Sequence, residues 1–171
     1  VDRPNLDRKT QKEPVPYLGG VAIAIGITVA SFGALLYSDF STETFSKALS
    51  VLLPAILISA MGFYDDLKNL DPWPRLVAQS LAGVAVAIYL IENDILGQAF
   101  NNRVIDYAVT IIWVVGICNS INFFDNLDGG ASGTVAVISI FLFTIAFNQG
   151  QSLVSALAVI TAGATLGFLI W

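Results

Sequence analysis

Histidine is absent from the 171 residues, and there is a single cysteine, Cys118. Without His there is no Ser-His-Asp triad, no imidazole general base and no His-ligated zinc. One thiol makes neither an internal disulfide nor a four-Cys metal site. Charge is scarce as well. Only 12% of residues are charged and 56% are hydrophobic, against roughly 25% and 45–50% in an ordinary soluble domain, which argues against a water-soluble protein. Eight Lys and Arg against thirteen Asp and Glu give a net charge of −5, the wrong sign for gripping nucleic-acid phosphates. The chemistry that is left belongs to carboxylates, amides, hydroxyls and a few cationic side chains.

What the chain does have is apolar length. Six runs nearly free of charge, at about 18–37, 48–64, 76–91, 104–118, 131–147 and 153–171, read as transmembrane helices, since crossing a bilayer takes roughly 20 residues. The expected fold is therefore all-α: a single polytopic membrane domain over 1–171 with six spans. The third and fourth runs are short for a crossing. The fourth is expected to continue helically through Ser120 or beyond, and the third to draw on Pro74 and Arg75. Residues 1–17 are the most polar in the chain, which speaks against a signal peptide. The start at Val1 and the apolar run reaching Trp171 lead us to expect a fragment of a longer membrane protein.

Six spans put residues 1–17, 65–75 and 119–130 on one side, and 38–47, 92–103 and 148–152 on the other. The first side carries Arg3, Arg8, Lys9, Lys12, Lys68 and Arg75, the second only Lys47 and Arg103. By the positive-inside rule the first side is cytoplasmic. It also carries Asp65, Asp66, Asp71, Asp125 and Asp128, whereas Asn148-Gln149-Gly150 on the other side reads as a tight turn.

Three constellations on the cytoplasmic side bear on function. Asp65-Asp66 closes the second run. Adjacent carboxylates beside a bilayer repel each other and are costly to desolvate unless a divalent metal or a nearby cation compensates them. The plainer alternative is a pair of solvated helix-end charges, although a helix C-terminus disfavours acids. In Asn119-Ser120-Ile121-Asn122-Phe123-Phe124-Asp125-Asn126-Leu127-Asp128-Gly129-Gly130, polar groups recur at every third residue. That spacing drifts around a helix, so Asn119 and Asn122 can share a face while Asp128 needs a break, which Asn126, Gly129 and Gly130 permit. The alternative is an interfacial loop that caps the next helix. Thirdly, Arg8, Lys9 and Lys12 precede Pro14, Pro16 and Gly19-Gly20, where they either contact phosphate or simply set topology. The glycines would admit a close backbone approach.

Outside these segments, Gly163 and Gly167 form a small-xxx-small face expected to serve close helix packing. Asp106 reads as an interfacial charge, and Trp113 and Phe141 as lipid- or helix-packing residues. Apart from scattered Ser and Thr, no polar residue lies in mid-span except Gln79, near one end of its run.

Together the three constellations, in this order and on one face, resemble the polyprenyl-phosphate N-acetylhexosamine-1-phosphate transferase family, which includes phospho-N-acetylmuramoyl-pentapeptide transferase. The resemblance covers essentially the whole chain. It implies an enzyme in which a polyprenyl (undecaprenyl) phosphate attacks the sugar-linked phosphate of a UDP-N-acetylhexosamine, releasing UMP, in cell-wall or surface-polysaccharide synthesis. It further implies Mg²⁺, with Mn²⁺ as an alternative, a bacterial plasma membrane with a cytoplasmic active face, and a homodimer as an open assembly state. By the same resemblance Asp65 serves the polyprenyl phosphate, Asp66 and Asp125 the metal, and Asp128 the uracil or ribose. Arg8, Lys9, Lys12, Asn119 and Asn122 are expected to bind substrate.

Gln11 stands where the family often has His, Asn126 where Gly is frequent, and Ala131 follows Gly130 where Leu is usual. The family's first span, a later metal-ligating Asp and a His-containing sugar loop have no counterpart in the chain, so the expectation is that this chain alone is inactive. A rival reading is a proton- or ion-coupled transporter, since acids and amides at span ends also mark ion paths. It is weakened by the lack of polar groups near the midplane.

Overall fold

Four of the six helix starts carry a local signal for starting there. Ser41 and Asn102 act as N-caps: Ser41 Oγ accepts the N–H of Thr44 at 3.2 Å, and Asn102 Oδ1 accepts those of Val104 and Ile105 at 3.0 and 3.3 Å. Asp71 precedes a proline and is extended, with φ −60° and ψ 153°, so Pro72 opens a helix at the position where its missing N–H costs nothing. Gly129 takes a left-handed φ of 68° immediately before the next helix, a conformation open to glycine.

The computed structural model describes residues 18–37, 41–68, 71–93, 100–124 and 129–170. These form α1 (Gly19–Tyr37), α2 (Thr42–Lys68), α3 (Pro72–Glu92), α4 (Arg103–Phe124), α5 (Gly130–Asn148) and α6 (Ser152–Leu169), with no strand among the described residues. All six helices are long and apolar enough to cross a membrane. The two runs that are short in sequence become helices of 21 and 22 residues. The first gains its extra turn from the Pro72–Arg75 segment, and the second runs on past Ser120 to Phe124. Gly150, at φ 70°, makes the α5–α6 turn.

The chain divides into two compact units, one of Val1–Phe45 with Ile121–Trp171 and the other of Ser46–Ser120. In the first, α5 and α6 pack as an antiparallel hairpin. Their buried residues are Ser132, Ala136, Ser139 and Ala146 on α5, and Ser155, Ala158, Ala162 and Thr165 on α6. Small side chains at this spacing let helix backbones approach in lipid, where dispersion replaces the hydrophobic effect as the driving force. Helix α1 lies antiparallel to α6, with Gly26 opposite Ala164 and Gly19 opposite Phe168. A Cβ on Gly19 would stand 2.8 Å from the Phe168 ring, so the close approach at this glycine is made by a side chain and not by a backbone. The small-xxx-small expectation for Gly163 and Gly167 is corrected: both are exposed and nothing lies within 4 Å of the Cβ each would carry. The seam runs instead through the alanines and hydroxyl residues one face away.

In the second unit α3 is central. Both its neighbours run antiparallel to it. Ser46 Oγ of α2 and the Tyr89 hydroxyl lie 3.3 Å apart near one end, and Asp65 meets Arg75 near the other. On the α4 side, a Cβ at Gly83 would sit 3.6 Å from the Ile111 backbone and from Val114 Cβ. Tyr107 donates its hydroxyl to Glu92 at 2.7 Å, and Arg103 Nη1 lies 3.4 Å from both oxygens of that carboxylate. Asp106 is not the interfacial charge its position suggests. It is buried, and its Oδ1 accepts the N–H of Phe100 at 3.2 Å, holding the chain that enters α4. Trp113 and Phe141 are exposed, as lipid-facing side chains are.

Candidate active site

Asp65 and Asp66 occupy the last turn of α2, just before Lys68. Carboxylates at a helix C-terminus face the negative end of the helix dipole. The short connection to α3 answers this electrostatic problem. Because Pro72 starts the new helix abruptly, Arg75 falls in its first turn and reaches back to the end of α2. Its Nη1 donates to Asp65 Oδ2 at 3.0 Å, with the two side chains 29% and 17% exposed. The pair is thus shielded enough for the attraction to exceed that of a surface ion pair. Asp66 is about 100° further around the helix and is exposed. The two neighbouring acids therefore differ in burial, Asp65 half-buried on an arginine and Asp66 exposed to solvent.

Asn119 lies on α4 in the same unit. Its Nδ2 donates to Gln79 Oε1 of α3 at 2.7 Å and to the Val115 carbonyl at 2.8 Å. Asn122 follows one turn later and is exposed. Arg8, Lys9, Lys12, Asp125 and Asp128 lie outside the described residues.

Two residues at this site escaped the sequence reading as partners of the motifs. In the sequence Arg75 stands out as a cytoplasmic-side cation and as part of the start of the third span, although an arginine in the first turn after an X-Pro-X-Pro connection is placed to meet the preceding helix end. Gln79 announced itself as a polar residue within an apolar run.

The donor set matches a hard cation. Lacking His and with its one thiol in mid-helix, the chain offers carboxylate oxygen, the ligand type that Mg²⁺ takes in ones or twos together with substrate phosphates and water. Among the described residues no group of three or more His, Cys, Asp or Glu is assembled.

Comparison with known proteins extends these observations. The glycosyl transferase family 4 model matches residues 48–171, a stretch that includes both Asp65-Asp66 and Asn119–Asp128. The chain is 31% identical to the probable undecaprenyl-phosphate N-acetylglucosaminyl 1-phosphate transferase of Bacillus subtilis (strain 168), over 100% of this chain and 47% of that protein. It is 31% identical to the decaprenyl-phosphate N-acetylglucosaminephosphotransferase of Mycolicibacterium smegmatis, over 95% and 44%. It is also 28% identical to a phospho-N-acetylmuramoyl-pentapeptide-transferase of Streptococcus pneumoniae, over 94% and 52%. The chain thus spans about half the length of the curated relatives it matches. No solved structure matches it.

Proposed function

The chain belongs to glycosyl transferase family 4, and on that premise we propose that the protein transfers an N-acetylhexosamine-1-phosphate from a UDP-sugar to a polyprenyl phosphate, releasing UMP, for cell-wall or surface-polysaccharide synthesis. A phosphate oxygen of the lipid forms a bond to the sugar-linked phosphorus. The bond from that phosphorus to the bridging oxygen breaks, and UMP leaves with the electron pair. Phosphoryl transfer of this kind needs chiefly positioning and charge neutralisation, which suits a chain without histidine.

The observation that carries the proposal is the half-buried Asp65 clamped by Arg75 at the end of an apolar helix. A carboxylate fixed at the edge of the bilayer can orient a lipid phosphate and take its proton if it arrives protonated, while the arginine limits repulsion between the two anions. Asp66 and Asp125 would hold Mg²⁺, which when bound supplies positive charge at the diphosphate. Asn119, Asn122 and Asp128 serve the nucleotide, and Arg8, Lys9 and Lys12 its phosphates. The active face is cytoplasmic, in the plasma membrane, following the excess of Lys and Arg on that side.

The test is to supply membranes containing the full-length protein with UDP-N-acetylglucosamine and undecaprenyl phosphate. A lipid-linked product that depends on Mg²⁺ and vanishes in Asp65→Asn and Asp125→Asn is expected. Full activity of both variants at normal protein level would overturn the site, and ion flux in liposomes with no lipid product would favour a transporter.

A further inference from the structure

Gln79 is a buried polar residue to which the reaction as read above gives no task. It is 5% exposed, in the helix most buried of the six, and a primary amide in such surroundings is retained at a cost unless it is bonded. Its carbonyl oxygen is bonded to one group, the Nδ2 of Asn119, at 2.7 Å. The same nitrogen donates to the Val115 carbonyl at 2.8 Å. A primary amide nitrogen has two hydrogens, so both donors of Asn119 are committed. What the side chain can still offer a ligand is Oδ1, a pure acceptor.

Four residues earlier on α3, and so on the same helix face, Arg75 holds Asp65. One face of α3 therefore binds the acid that ends α2 with one turn and the amide that opens the Asn119–Asp128 segment of α4 with the next. We infer that Gln79 is a positioning residue for the transfer reaction: it locks the Asn119 amide so that the oxygen faces the substrate, and the complementary substrate group is a hydrogen-bond donor, an imide N–H or a sugar hydroxyl of the nucleotide. This rests on the transferase reading, because the substrate that Asn119 meets is taken from it. Without Gln79, the amide is free to rotate and to present its NH₂, which repels such a donor.

The test is a double-mutant cycle in membranes, with UDP-N-acetylglucosamine and undecaprenyl phosphate as substrates and the melting temperature of each variant in detergent measured alongside. Gln79→Leu keeps the apolar packing but removes the acceptor; it should raise KM for the UDP-sugar and lower kcat/KM about tenfold, the loss expected for one hydrogen bond's worth of binding. Gln79→Glu retains an acceptor oxygen at the same reach and should recover most of that loss. In an Asn119→Ala background Gln79→Leu should cost nothing further, since the two act as one unit. A tenfold loss that adds in full to that of Asn119→Ala, or one that tracks the melting temperature and is not rescued by Glu, overturns the inference while leaving the transferase reading intact. Wild-type activity in Gln79→Leu does the same. Failure of the full-length wild-type protein to make any lipid-linked product overturns the transferase reading, and the inference with it.

Discussion

Arg75 Nη1 stands 3.0 Å from Asp65 Oδ2, joining the first turn of α3 to the last turn of α2 across a connection that ends on an extended Asp71 before Pro72. Removing the guanidinium leaves a half-buried carboxylate at the negative end of a helix dipole. Arg75→Ala is expected to lower transfer at least tenfold and to cost about 1 kcal/mol of stability, modest because neither group is fully buried. Arg75→Lys should recover part of both, since it restores the charge without the planar fork. Product formation and thermal unfolding in detergent check the two effects separately.

The contact between α3 and α4 at Gly83 predicts a size limit. A Cβ there would be in ordinary van der Waals contact with Ile111 and Val114 at 3.6 Å, so Gly83→Ala should be near neutral. Gly83→Leu must push the helices apart and should cost about 1–3 kcal/mol. Melting curves of the two variants should therefore diverge by several degrees.

Asp106 predicts an effect confined to stability. It is buried and accepts the Phe100 N–H at 3.2 Å, and it lies in the first turn of α4, where a negative charge suits the helix dipole. Asp106→Ala should destabilise by about 1 kcal/mol, and Asp106→Asn by less because it keeps the acceptor. Neither should change KM for the UDP-sugar, which would distinguish this aspartate from Asp65.

Metal removal gives a further prediction. EDTA treatment should abolish lipid-linked product, and added Mg²⁺ should restore it, with Mn²⁺ as a partial substitute. Asp66→Ala should raise the Mg²⁺ concentration needed for half-maximal activity, a shift that Asp106→Ala should not share.

The six helices were legible in the sequence because apolar length is a one-dimensional property, and the extra turns of α3 and α4 were expected at Pro74-Arg75 and through Ser120, since runs too short to cross a bilayer must be extended. Pairing between helices was much less legible. Nothing in the residue order says that Arg75 answers Asp65, that Gln79 meets Asn119, or that Asp106 turns inward to the Phe100 amide, because these depend on the rotation and register of packed helices. Gly163 and Gly167 show the same limit: a small-residue pair marks a face that can pack closely, but Ala158, Ala162 and Thr165 of α6 are the residues buried. The acids of the candidate site could be named from their spacing, whereas the side chains that hold them could not.

The short turn at Gly150 sets an order for assembly in the membrane. Helices α5 and α6 are neighbours in sequence, so their seam of serines and alanines can close as soon as both have left the ribosome, with little loop entropy to lose. Helix α1 is made well before α6, yet it packs against it. Until α6 emerges, α1 must therefore reside in the bilayer or at the insertion machinery without its partner at Gly19 and Gly26, and its docking waits on the synthesis of α6.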